Sequence, residues 1–483
     1  LGESPELRGF YLGCGMCSVG IACGGGAGRA LAEWVVEGEP SMDLWPVDIR
    51  RFAKVQNSIR TLRERSPETL SLHYAVSFPG RQYKTARNLR LSPLHSRLEK
   101  AGAVFSAQMG WERPWWFNPK GISIHPELSF EKPGWFFLHA QEHEAARKSV
   151  VLIDQSTFGK LIVQGRDAEK FLQRVCANDI SSAHDRVVYS PMLNNHGGYE
   201  SDLTIMGLDE DRFLLITGTG QPVRDHNWIS RNIKPEEFVS VTDITEDYAV
   251  ISVAGPNSRK LLNLASPDDF SNEGFSYFTH RNVEIGPAIV RAARLSYTGE
   301  LGWELYVPSE SAIPVFDTLN EYGSDLDLKL AGMEALRSLR IEKGFRAWGH
   351  EIGPYDTPFE AGMGFSVKLN KKVSFLGKEA LVKQKKKGVN RYLVMLTAKD
   401  SEAHAHGGEP IWLNDKLAGH TTSGTFGHSV GCTVMMGYIN CHDTKLEKTL
   451  SNGNFEVEIA CRRFPAQASL EAPYDPKGVV LEK

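Results

Sequence analysis

Between Val150 and Pro308 the chain moves repeatedly between short strand-like runs and amphipathic helical stretches. "RVVYSPML", "LTIMGL", "RFLLITG", "YAVISVAG", "PAIVRAARLSY" and "WELYVP" read as strands. "PNSRKLLNLA", "AIPVFDTLNEYG" and, further on, "LAGMEALRSLRIEKG" carry apolar residues at helical spacing. The two kinds mix without strict strand–helix–strand alternation, which predicts an α+β fold with antiparallel sheets. From Arg391 onward only strand-like runs and turns remain ("RYLVMLTA", "EPIWLND", "KLAGHTTSG", "TVMMGYIN", "FEVEIACRR"), the pattern of a small barrel or sandwich.

Ahead of this body lies "GCGMCSVGIACGGGAGRALAEWVVEGEP", with seven glycines before Arg29. It reads as a glycine loop running into a helix, the arrangement that lets a backbone approach a phosphate or a cofactor ring. Ala27, Ala30, Leu31, Trp34 and Val35 form one stripe of that helix, and Gly38 is placed as its C-cap. Residues 52–120 read as helical and then irregular, with Trp111, Trp115 and Trp116 in a bulky loop over a domain junction. The opening "LGESPELRGF" has neither the apolar core of a signal peptide nor an Arg/Ser-rich amphipathic character, and the chain reads as if cut from something longer.

Composition narrows the classes. The length of 483 residues suits two to four domains. A formal charge of −4 argues against a nucleic-acid partner, and no apolar run is long enough for a membrane span. Seven scattered cysteines suit a reducing compartment better than a disulfide framework. Cys14 and Cys17 form a lone CxxC without a second ligand pair, and His404 and His406 suit an exposed hairpin turn, so no metal site is expected. Lys383, Lys385, Lys386 and Lys387 read as a solvated helix end closed by Gly388.

Two carboxylates stand out. In "NNHGGYESDLTI" Asp202 opens an apolar strand after a Gly197–Gly198 turn; it either caps that turn or points into a cavity, where a basic ligand nitrogen would offset the cost of burial. In "SYTGELGWELYVP" Glu304 follows a hairpin turn, where a carboxylate can accept two parallel hydrogen bonds from an N–C–N edge such as a pterin or guanine presents. Together they suggest a flat heteroaromatic ligand.

"DQSTFGKLIVQGRDAEKFL", "GGYESDLTI", "ISVAGPNSRKLL", "SYTGELGWELYVP", "LRIEKGFRAWGHEI", "TPFEAGMGF" and "AGHTTSGTFGHSVG" resemble, in order, the folate-binding aminomethyltransferase (glycine cleavage T-protein) family. The glycine-rich N-terminal stretch resembles the end of the flavin domain in dimethylglycine and sarcosine dehydrogenases, and the segment after it their middle domain. The resemblance implies four parts: a flavin-domain remnant (1–51), an oxidoreductase middle domain (52–124), a folate-binding domain (125–388) and a C-terminal β-barrel (389–483). It implies that Asp202 meets the folate nitrogen receiving the one-carbon unit and that Glu304 grips the pterin edge. It further implies that Tyr297 and Trp303 lie close to that pocket, with Tyr474 as a late aromatic of it. Leu336 stands where the family has a folate-binding arginine, and Ser201 where it has a second acidic residue. Tetrahydrofolate is the implied ligand. FAD is not expected, because the family's GxGxxG turn and flavin-linking histidine belong to a part ahead of Gly13. The tail "ASLEAPYDPKGVVLEK" and "GWERPWWF" favour the branch of regulatory subunits of pyruvate dehydrogenase phosphatase over the dehydrogenases. That branch implies a non-catalytic role in the mitochondrial matrix, with the phosphatase catalytic subunit as partner; the alternative that the resemblance implies is a folate-dependent oxidative demethylase of the dimethylglycine/sarcosine dehydrogenase type.

Overall fold

A computed structural model describes residues 1–124, 128–441 and 445–483, so the boundary expected at 124/125 adjoins residues outside that description. At the N-terminus β1 (Gly2–Glu3) pairs with β2 (Tyr11–Leu12), and α1 spans Gly20–Glu37. The expected loop before this helix is a correction: Gly24, Gly25, Gly26 and Gly28 lie inside α1. A Cβ at any of them would meet no atom of the described residues within 4 Å, so no packing within the chain requires glycine there. Each interior glycine costs the helix about 1 kcal/mol against alanine. The helix is held instead by Ala27, Ala30 and Trp34, which are buried, whereas Val35 of the expected stripe is 55% exposed. Gly38 ends it at φ 83°, its N–H donating to Trp34 O, as the sequence predicts.

After α2 (Ile59–Ser71) and α3 (His95–Lys100), β3 (Ala103–Gln108) and β4 (Trp111–Phe117) form an antiparallel hairpin. The tryptophan segment is therefore a strand, not a loop; Trp111 and Trp116 are buried and Trp115 Nε1 donates to Glu334 at 2.7 Å.

Two sheets face each other in the body of the protein. α4 (Phe136–Lys148) leads into β5 (Val150–Asp154). The turn at 155–158 then carries the chain into the other sheet at β6 (Gly159–Gln164). α5 (Ala168–Val175), β7 (Val188–Leu193), β8 (Tyr199–Asp209), β9 (Arg212–Thr217), α6 (Pro222–Arg231) and β10 (Ser240–Asp243) follow. They complete a five-stranded antiparallel sheet in the order β10-β6-β9-β8-β7. The chain returns at β11 (Tyr248–Ala254), then α7 (Ser258–Ala265), β12 (His280–Ile285), β13 (Ala288–Ala293), β14 (Gly302–Pro308), α8 (Ala312–Gly323) and β15 (Leu328–Leu330). The second sheet runs β12-β13-β14-β11-β5-β15, antiparallel except for the β5–β15 pair.

Period-2 alternation sorts the side chains of these strands. On β14, Trp303, Leu305 and Val307 enter the core under α7 and α8, while Tyr306 faces the other sheet among Ile162, Met206, Leu214, Ile216 and Val250. On β8, Leu203 and Ile205 pack in the core under α5 and α6, and Met206 faces β14.

α9 (Met333–Glu342) and α10 (Lys378–Lys387, capped by Gly388) lead to the all-β part. β16 (Arg391–Ala398), β17 (Pro410–Leu413), β18 (Lys416–Gly427), β19 (Cys432–Asn440), α11 (Leu446–Asn452), β20 (Phe455–Ile459) and β21 (Arg462–Ser469) make it up. Its strands close into a barrel, β16-β19-β18-β17-β20-β21. His404 and His406 lie between β16 and β17, which do not pair, so this connection is a crossover rather than a hairpin turn. His406 Nε2 is 2.9 Å from Phe130 O.

Trp303 is fully buried against Phe270 and Phe275. Trp303→Ala is expected to cost about 3–5 kcal/mol in urea unfolding, whereas Trp303→Phe should leave ligand affinity unchanged; a Phe variant with normal stability and lost affinity would contradict this placement.

Candidate functional site: a carboxyl recess between the sheets

Asp202 is the fourth residue of β8 and has the parity of Met206, so its side chain enters the layer between the two sheets. β7 sets it opposite Pro191, and Tyr189, two residues back on that strand, donates its hydroxyl to Asp202 Oδ2 at 3.1 Å. Glu304 enters the same layer from β14. Tyr306, two residues on and therefore on the same face, donates to its Oε2 at 2.6 Å. Glu304 Oε1 takes no hydrogen bond from the described residues. One part of the inter-sheet space is thus apolar, filled around Met206 and Tyr306, and another carries two carboxyl groups, each held by one tyrosine.

Burial dominates the electrostatics. It pushes the Asp202 carboxyl up to about 6, against the opposing effect of the Tyr189 hydrogen bond, and Glu304 up to about 7, against that of Tyr306. Asp202, Tyr189 and Tyr297 are nonetheless only half-buried, whereas Glu304 is buried. Behind Asp202, Ser201 points to the opposite face and donates to Asp225 Oδ2 at 2.8 Å; Thr217 donates to the same oxygen. Asp225 is fully buried and its carboxyl is pushed up to about 7, again mainly by burial. A carboxyl from α6 therefore stands behind the strand at the position where the resemblance places an acidic residue on it.

The structure separates the expected site residues. Asp202 and Glu304 share the inter-sheet layer. Tyr297 donates its hydroxyl to Arg346 O at 2.5 Å, stacks on Phe345 at 5.7 Å and lies within the field of Asp202. Trp303 is a correction: strand alternation turns it away from Glu304 into the helix-covered core. Tyr474 is a second correction. Its hydroxyl is committed to Glu300 and its ring to the Arg147 guanidinium 3.7 Å above it, which clamps the C-terminal tail instead of offering a ring to the recess. Leu336 packs in an apolar cluster with Ala145, Ala146 and Leu339, with Tyr297 against it.

Sequence reasoning missed Tyr189, Tyr199, Tyr306, Asp225 and Arg346. Tyr306 was readable, since it shares a face with Glu304; the others depend on strand register and loop placement. Tyr199 is fully buried in the cluster with Ile352, Ala361 and Val367, its hydroxyl lying by Ser366 and within the field of Asp202. Among the described residues no group of three or more His, Cys, Asp or Glu side chains is arranged to hold a metal ion, and no helix is long and apolar enough to cross a membrane.

Two facing sheets that enclose a carboxyl recess, followed by a closed barrel, define an aminomethyltransferase-type protein. The GCVT N-terminal domain matches residues 94–371, the glycine cleavage T-protein C-terminal barrel domain residues 391–475, and the FAD dependent oxidoreductase central domain residues 37–92. The chain belongs to the GCVT family. It is 40% identical over 478 residues to a 4-methylaminobutanoate oxidase (formaldehyde-forming) of Paenarthrobacter nicotinovorans, covering 99% of this chain and 57% of that protein. A mitochondrial sarcosine dehydrogenase of Mus musculus is 38% identical, with 99% of this chain and 56% of that protein covered. A mitochondrial pyruvate dehydrogenase phosphatase regulatory subunit of Mus musculus is 34% identical, with 97% and 56% covered. The chain thus spans little more than half the length of these relatives. The crystal structure of the glycine cleavage system aminomethyltransferase T from Bartonella henselae superposes with a TM-score of 0.67 at 25% identity, covering 80% of this chain and 97% of that one.

Because the Glu304 carboxyl holds its proton more tightly in the folded chain (about 7, against an ordinary 4.5), it favours folding below about pH 4.5 and loses that contribution as pH rises through about 7. Glu304→Gln keeps an acceptor for Tyr306 and removes the titration. The unfolding free energy of the variant minus that of the native chain is expected to rise by about 3 kcal/mol between pH 4.5 and 7.5; a difference that stays flat in denaturant titrations would contradict the placement.

Proposed function

We propose that this chain carries the tetrahydrofolate-binding half of an enzyme that oxidatively demethylates N-methyl amines. The observation that carries the reading is the pair of carboxyls, Asp202 and Glu304, each held by one tyrosine in the inter-sheet recess. The residues fit a reduced pterin: Glu304 Oε1 takes no hydrogen bond from the described residues, and Asp202 is only half-buried. Bound tetrahydrofolate supplies a nucleophilic nitrogen that accepts a one-carbon unit.

The chain's own residues do the rest. Glu304 accepts two parallel hydrogen bonds from the N–C–N edge, and the Tyr306 hydroxyl fixes its rotamer. Asp202, poised near pH 6, holds or releases a proton at the reacting nitrogen, and Tyr189 orients it. The apolar packing around Met206 and Tyr306 limits water on one side. Flavin chemistry is not assigned to these residues; the glycine run lies within α1.

Two departures favour a second reading, a regulatory subunit of mitochondrial pyruvate dehydrogenase phosphatase acting in the matrix with the catalytic subunit. Leu336 is an apolar packing residue where the family has an arginine, and Ser201 carries no charge. The retained carboxyl pair supports the demethylase reading over it.

Calorimetry with tetrahydrofolate separates the two. Saturable binding, weakened about ten- to a hundred-fold by Asp202→Ala, is expected. No heat with tetrahydrofolate, together with co-purification of the phosphatase catalytic subunit, would overturn the demethylase reading.

A further inference from the structure

Arg346 follows α9 in the loop that carries Phe345 and Trp348, and it is half-buried. Its Nε donates to Ala361 O at 3.0 Å and its Nη1 to Gly344 O at 2.5 Å. No carboxylate oxygen of the described residues lies within 4.0 Å of it. Its neighbours are matched: Arg340 meets Glu351 at 2.6 Å and Ser423 Oγ at 2.9 Å, and Arg391 meets Asp356 at 2.5 Å. Gly362, at φ 67°, leaves space beside the guanidinium; a Cβ there would come 3.1 Å from Nη2.

This cation, with no carboxylate of the described residues in contact and only the carboxylate field of Glu351 to offset its burial, adjoins the recess. Its backbone carbonyl accepts the Tyr297 hydroxyl. Tyr189, Tyr199 and Tyr297 each lie close to both Asp202 and Arg346, with Tyr189 donating to Asp202 and Tyr297 to the Arg346 carbonyl. Burial lowers the affinity of Arg346 for its proton against the opposing field of Glu351, and backbone carbonyls accept from Nε and Nη1 without neutralising its charge. A planar guanidinium in that state is suited to a ligand carboxylate, which it can grip with two parallel hydrogen bonds.

We propose that Arg346 is the anion subsite of the recess and takes a carboxylate of the glutamate tail of tetrahydrofolate, replacing from the loop after α9 the arginine that Leu336 displaces on the helix. This rests on the tetrahydrofolate reading above. The pterin end is left to Glu304, and Asp202 stands between the two ends.

The test is calorimetric, with tetrahydrofolate and with 6-methyltetrahydropterin, which shares the pterin ring and lacks the tail. Arg346→Gln is expected to weaken tetrahydrofolate about ten- to a hundred-fold and to leave 6-methyltetrahydropterin within twofold. Arg346→Lys, which keeps the charge but not the fork, should recover part of the loss. Added salt should weaken tetrahydrofolate binding to the native chain and have little effect on the Gln variant. Thermal unfolding checks that both variants remain folded. Equal losses for both ligands, or no loss for either, would overturn the subsite while leaving the folate reading standing. A native chain that binds neither ligand would overturn both.

Discussion

The two facing sheets keep two carboxyl groups in a layer that would otherwise be apolar. Asp202 and Glu304 come from facing sheets and are held by Tyr189 and Tyr306. One neutral hydroxyl per carboxyl does not offset the loss of hydration, so both groups are pushed towards neutrality, to about 6 and about 7. That poises them to change charge when a ligand brings N–H donors.

The frame is rigid where charge is fully paired. Arg147 bridges Glu300 at 3.0 Å and Glu342 at 2.9 Å, and its guanidinium covers Tyr474. Arg340 joins Glu351 to Ser423 of the barrel, and Lys343 binds Asp475 of the tail at 2.7 Å. These contacts tie α9, the barrel and the C-terminal tail together around the recess. Arg346, in the same neighbourhood, has no carboxylate of the described residues in contact and feels Glu351 only at a distance. Elsewhere the N-terminal segment is fastened by another buried set: Arg50 on Asp48 at 2.6 Å, and Arg224 on Glu200 of β8.

Much of the fold was legible because it rests on local pattern: strand runs at period 2, helix stripes, and glycines such as Gly38 and Gly388 at helix ends. Asp202 and Glu304 were legible because a carboxylate inside an apolar strand is costly unless something requires it. Trp303 was misread because the residue next to a site residue on a strand faces the opposite way. Tyr474 was misread because its neighbours Glu300 and Arg147 are far off in sequence. Tyr189 and Arg346 could not be read, since the first depends on the β7–β8 register and the second on where a loop folds back. The glycine run suggested a cofactor loop, but the buried faces of Ala27, Ala30 and Trp34 carry a helix through it despite its low propensity.

The central claim is that a ligand's N–H donors convert a protonated carboxyl in the recess to its ionised form. It is tested most directly by the protons exchanged when tetrahydrofolate binds, read from calorimetric enthalpies in buffers of different ionisation heat. At pH 6, where Glu304 is mostly protonated, about one proton should be released to the buffer, and Glu304→Gln should abolish the release. Binding without proton release, or release unchanged in that variant, would contradict it.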